Sequence, residues 1–171
     1  MPKEPMPVSL IKHRGFFNYA DLLHAVRGWF VQDDFEVINM PLYLLKFPEP
    51  TGTEHEFKIV AEKTVTEYVK FHFTVEMRVY NMRDIEVIHE GQKVKLQDGQ
   101  MQITIIPELE LDWQKRFSGS GPFKGFLSAL DKFYRGYIIK YKISDYWEDM
   151  ILLKSSQLAH LIKSTMGQEV I

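Results

Sequence analysis

The chain has 171 residues, 45% of them hydrophobic and 26% charged, with no cysteine and a formal net charge of -2. That balance fits one globular domain, long enough to bury roughly two thirds of its unfolded surface without help from a metal or a disulfide. It excludes thiol catalysis, disulfide frameworks and cysteine-based metal sites, and it suits a reducing, cytoplasmic compartment.

The opening MPKEPMPVSL has prolines where a signal peptide would have an apolar core, and no apolar run approaches the ~20 residues that cross a bilayer, so a soluble, unsecreted protein is expected. Residues 1–7 read as a flexible N-terminus and Val8 to Arg14 as a short strand. Asn18 is placed to cap a helix, with Asp21 three residues on. Leu22, Leu23, Val26, Trp29 and Phe30 then recur at helical spacing, and the helix ends near Asp33. Phe35 to Phe47 reads as a strand interrupted by Pro41, hence an edge or a bulge, and Phe47-Pro-Glu-Pro-Thr-Gly-Thr as a loop.

The stretch YVKFHFTVEMRVY, residues 68–80, alternates almost without exception. Val69, Phe71, Phe73, Val75, Met77 and Val79 share one side, and Lys70, His72, Thr74, Glu76 and Arg78 the other. Phe57 to Val65 should pair with it through a turn near Thr66-Glu67. Ile85 to His89 and Lys93 to Gln97 flank the turn Glu90-Gly91-Gln92, and Asp98-Gly99 reads as a further hairpin turn. Gln100 to Asp112 repeats the alternation, with Met101, Ile103, Ile105, Leu109 and Leu111 apolar. Strands apolar on one side only belong to an antiparallel sheet with one face covered and one wet.

Helices supply the cover. Pro122 suits a first helical turn, and from 123 to 141 the residues Phe123, Phe126, Leu127, Leu130, Phe133, Tyr134, Tyr137, Ile138 and Tyr141 fill an arc of about 140°. Gly125, Ala129 and Gly136 form a small stripe, which is either a close approach of another backbone or a tolerated surface feature. A last helix starts at Ser144 or Asp145 and runs to about Thr165, with Gly167 as its stop and residues 168–171 as a flexible end. The fold expected is thus a single α+β domain over residues 8–167. In it an antiparallel meander of five to seven strands is covered on its apolar face by an N-terminal helix and two C-terminal helices.

Chemistry is harder to place. His13, His24, His55, His72, His89 and His160 form no H-x-H or H-x-x-x-H pair, so surface or strand-edge roles are expected and no metal or other cofactor is called for. Glu108 and Glu110 share a face, and Glu62 and Glu76 can lie on neighbouring strands. Lys58, Lys70 and Arg78 offer the opposite charge, so cross-strand pairing on a solvated face outweighs acid and base catalysis there. The SGSG of residues 118–121 is neither a nucleophile elbow nor a phosphate loop. No residue is named as catalytic.

Charge is unevenly spread: residues 115–142 hold seven Lys and Arg against Asp131 alone. Lys115, Arg116, Lys124, Lys132 and Arg135 therefore form a candidate contact surface interleaved with aromatics. It fits an acidic protein patch, an anionic membrane surface or single-stranded nucleic acid, although the aromatics' helical phase also fits a core role.

The element order of strand, helix, antiparallel meander and long terminal helix resembles the helix-grip architecture of the START and Bet v 1-like proteins. That resemblance implies a cavity for an apolar ligand between sheet and terminal helix, lined here by Phe71, Phe73, Met77, Ile103, Trp147 and Met150. The segments GFFNYADLLHAVRGWFVQDDFEV, TVTEYVKFHFTVEMRVYNMRDIEVIHEGQKVKLQDGQMQI and FLSALDKFYRGYIIKYKISDYWEDM look like small archaeal proteins of uncharacterised function, which implies an intracellular protein and transfers no site residues. The function expected is a non-catalytic interaction or assembly protein, meeting a protein partner or itself through the polar sheet face and the basic and aromatic helix; the alternatives are a carrier of an apolar small molecule and a single-strand nucleic-acid binder.

Overall fold

The computed structural model describes residues 3–39, 44–49, 52–114, 122–133, 136 and 144–167. In chain order they form β1 (Glu4–Pro5), β2 (Ser9–Phe17), α1 (Tyr19–Gln32), β3 (Glu36–Asn39), β4 (Leu44–Glu49), β5 (Gly52–Thr64), β6 (Val69–His89), β7 (Gln92–Leu111), α2 (Lys124–Phe133) and α3 (Ser144–Thr165). The architecture is α+β. One antiparallel sheet runs β7-β6-β5 at its centre, with β1 and β2 both paired to the free side of β7 and β3 and β4 both paired to the free side of β5.

Alternation decides which face is inside. Val69, Phe71, Phe73, Val75, Met77 and Val79 of β6 are all buried, as are Met101, Ile103, Ile105, Leu109 and Leu111 of β7 and Phe57, Ile59 and Ala61 of β5. Because side chains repeat with period two, strands paired in this register bring all three apolar sets to the same face. Met6 donates its N–H to Pro107 O, so the N-terminal segment is tied to the sheet at β1.

Among the described residues, two helices cover this face. In α1, Leu22, Val26 and Phe30 recur every four residues and are fully buried. Asn18 caps the helix by accepting from the Asp21 N–H, and Asp33 closes it. The C-terminal end of α1 sits in an aromatic cluster, where Trp29, Phe30 and Phe35 meet Phe73 with ring centroids 5.4–6.2 Å apart. In α3, Ile151, Leu158 and Ile162 are fully buried, and Trp147 packs edge-on against Phe71 at 6.1 Å. Asp33 binds the two helices to the sheet, since its carboxylate meets Lys154 of α3 and its carbonyl accepts from Lys63 of β5 at 2.6 Å. None of the described helices is long and apolar enough to cross a membrane.

The hairpin expected at Asp98-Gly99 is not there. Both residues lie inside β7, Gly99 opposite Gly15 of β2, and the bulge is on β6, where the register slips between Tyr80 and Arg83 and Asn81 takes a φ of 55°. A Cβ on Gly99 would stand 2.9 Å from Tyr80 O and 3.3 Å from Met82 Cα, so the bulge needs glycine there. Gly99→Ala should therefore destabilise by about 1–3 kcal/mol. Gly125→Ala meets nothing within 4 Å and should not destabilise. Parallel thermal melts that show equal midpoints for the two variants would contradict this assignment.

Beyond the bulge β6 and β7 continue as a two-stranded arm, closed by the expected turn at Glu90 and Gly91, whose φ values of 50° and 80° suit a primed turn.

Candidate functional site

The wet face of the sheet is a lattice of opposite charges. Lys58 Nζ lies 3.2 Å from Glu76 Oε1, Arg78 Nη2 lies 2.9 Å from Glu56 Oε1, and Lys70 Nζ donates to Glu62 at 2.5 Å. This is the cross-strand pairing expected from the sequence, and it leaves the carboxylates of this face with partners rather than poised as acids and bases.

One row of that lattice is partly buried, with His72 at its centre. His72 is only 6% exposed although it sits on the polar side of β6. Its Nε2 is 2.6 Å from Glu110 Oε2 on β7, and its Nδ1 is 3.6 Å from Glu62 Oε2 on β5. Glu62 holds Lys70, and the Lys70 ammonium lies over the Trp113 ring, whose Nε1 donates to Thr66 O. Each ring nitrogen of His72 thus faces a carboxylate, which leaves neither directed at a substrate. The arrangement ties three strands together.

His55 is the second buried histidine and lies on the apolar side of β5, where the Tyr19 ring is 6.2 Å away and Thr53 Oγ1 is 2.9 Å from its Nε2. Burial holds its pKa below the ordinary imidazole value, against an opposing pull from Asp84. The expectation that histidines would sit at the surface or at strand edges therefore fails for His55, against which Tyr19 of α1 packs, and for His72, which stands between carboxylates of the two neighbouring strands. Among the described residues, no three His, Cys, Asp or Glu side chains are grouped to hold a metal ion.

The six side chains proposed to line a cavity are core. Phe71, Phe73, Met77 and Ile103 have no exposed surface, and Trp147 and Met150 are half-buried and pack against the same cluster. The apolar opening among the described residues lies elsewhere, between α1 and the β3–β5 side of the sheet. It is a groove of about 290 Å³ lined by Ala20, Leu23, His24, Arg27, Val37, Phe57 and Ile59. Its signal in the sequence was slight: Ala20, Leu23, His24 and Arg27 form a stripe at helical spacing beside the buried one, and only the packing shows that the sheet extends past it.

The basic segment is described in part. Lys115, Arg116 and Arg135 lie outside the described residues, as do Tyr134, Tyr137, Ile138 and Tyr141. Lys124 and Lys132 lie on α2 and are exposed. The unexpected feature of α2 is that its apolar stripe, with Phe123 just before it, turns outward: Phe123 is 71%, Phe126 65%, Leu130 41% and Phe133 62% exposed. A Cβ on Gly125 or Gly136 would meet nothing within 4 Å, so the small stripe is not a place where another backbone passes close by. The cover of the sheet is provided by α1 and α3, and α2 keeps its apolar face free of it.

Comparison with protein-family models and with curated proteins gives no match for this chain.

Proposed function

We propose that the protein is a non-catalytic interaction and assembly module whose contact surface is the apolar face of α2. The observation that carries this reading is the outward stripe of Phe123, Phe126, Leu130 and Phe133. Covering a large apolar side chain stabilises by roughly 1.5–3 kcal/mol, so four in one stripe are a strong drive toward a partner. The polar face of the sheet is the weaker contact surface. Its charges already pair with one another, and a partner laid across them would have to desolvate those pairs without offering better ones. A nucleic-acid role has less support, since the chain as a whole is acidic, with a formal net charge of -2.

The partner that needs no second protein is another copy of the chain. Sedimentation velocity at micromolar concentration should show species above the monomer, and Phe126→Glu combined with Leu130→Glu should leave only the monomer. Both positions are exposed, so the melting midpoint of the double variant should stay near that of the parent. A parent that sediments as a monomer, or a double variant that assembles as well as the parent, would remove α2 as an assembly surface.

A further inference from the structure

The groove beside α1 combines features that the assembly reading does not use. Leu22, Val26 and Phe30 anchor α1 on the sheet, and the helical period then sets Ala20, Leu23, His24 and Arg27 along the adjoining stripe. The start of the helix is held by a hydrogen bond from the Tyr19 N–H to Gln97 Oε1 at 2.9 Å, so this wall of the groove is fixed to the sheet. The floor is Phe57 and Ile59 of β5, and Val37 of β3 closes the far side. Among the described residues no acidic side chain lines the groove, while Arg27 and His24 stand at its exposed rim. Among the described residues Arg27 makes no ion pair, so its guanidinium is available to an incoming anion.

We propose that this groove binds a small aliphatic carboxylate, with the hydrocarbon chain over Phe57 and Ile59 and the carboxylate on Arg27, assisted by His24. An apolar floor with a few polar groups at one end is the usual form of a small-ligand site, and it orients an amphiphile by its head. Arginine offers a carboxylate two parallel N–H donors, which a neutral head cannot use equally well. The volume of about 290 Å³ sets the size of the ligand. That is at the small end of ligand pockets, roughly 300–1,000 Å³, and suits a short-chain carboxylate such as octanoate.

Calorimetric titration of the full chain with octanoate, and separately with 1-octanol, tests the proposal. Octanoate should bind saturably with one site per chain. Arg27→Ala should weaken octanoate about tenfold, the share of a charge-assisted hydrogen bond, and leave 1-octanol unchanged. Ala20→Trp, which fills the groove from its exposed rim, should abolish binding of both. Thermal melts of the two variants, each made at an exposed position, should match the parent. Octanoate that does not saturate the parent would overturn the proposal. So would an Ala20→Trp variant that binds like the parent, or an Arg27→Ala variant that loses octanoate and octanol alike.

Discussion

Phe71→Lys should leave the protein unfolded, with no cooperative melting transition and no native circular dichroism. Phe71 stands near the start of β6, the strand between β5 and β7, fully buried on the apolar face and edge-on to Trp147 of α3. Removing the ring alone should cost about 3–5 kcal/mol. Placing an ammonium there without a partner adds several kcal/mol more. A domain has about 5–15 kcal/mol of stability in all, so the sum reaches or passes the whole. Ile103→Lys, equally buried on β7, should behave the same way. Thr74→Lys is the informative control, because Thr74 lies one residue out of phase, on the polar side, and should melt within a few degrees of the parent. A folded Phe71→Lys beside an unfolded Thr74→Lys would reverse the facing of the sheet.

His72→Leu should lower stability by about 3 kcal/mol, the upper end of what a hydrogen bond to a charged group contributes. The imidazole stands between Glu110 and Glu62, whose side chains are 19% and 20% exposed. Leucine would leave the two carboxylates facing a hydrocarbon and each other, with Lys70 partnering only Glu62. For a chain of this size that corresponds to a fall of roughly 6–12 °C in the melting midpoint. Adding Glu110→Gln to His72→Leu should restore part of the loss, because a neutral amide tolerates the apolar neighbour better than a carboxylate does. Midpoints of parent and His72→Leu within 2 °C of one another would show that this row is an ordinary solvated pair. An effect of the expected size would show that the polar face of the sheet also has an interior.

The assembly surface and the proposed groove are separate parts of the molecule, and their variants are made on different helices. Loss of assembly in the α2 double variant with octanoate binding intact, or the reverse, would therefore assign the two properties independently.

Much of the fold was legible because it rests on periodicity. The alternation of residues 69–79 and 101–111 states which side chains share a face, and the register then carries those faces to one side of the sheet. Asn18 and the turn at Glu90-Gly91 were readable because a cap or a primed turn is satisfied within a few residues. Asp98-Gly99 misled for the same reason in reverse. The dipeptide favours a turn locally, but Gly99 serves the bulge of a strand that lies nearly twenty residues earlier in the chain.

By itself, then, the sequence determined the class of fold, the buried faces of α1, β6 and β7, and the pairing of opposite charges across the wet face. Each of these follows from side-chain spacing within a single element or between neighbouring strands. Only the tertiary structure decided that His72 is buried between Glu62 and Glu110, that the phenylalanines of α2 face outward, and that a groove opens beneath Ala20, Leu23 and Arg27. The physical reason is common to all three. An amphipathic pattern states that a face exists, whereas its cover comes from residues distant in the chain whose positions no local period encodes.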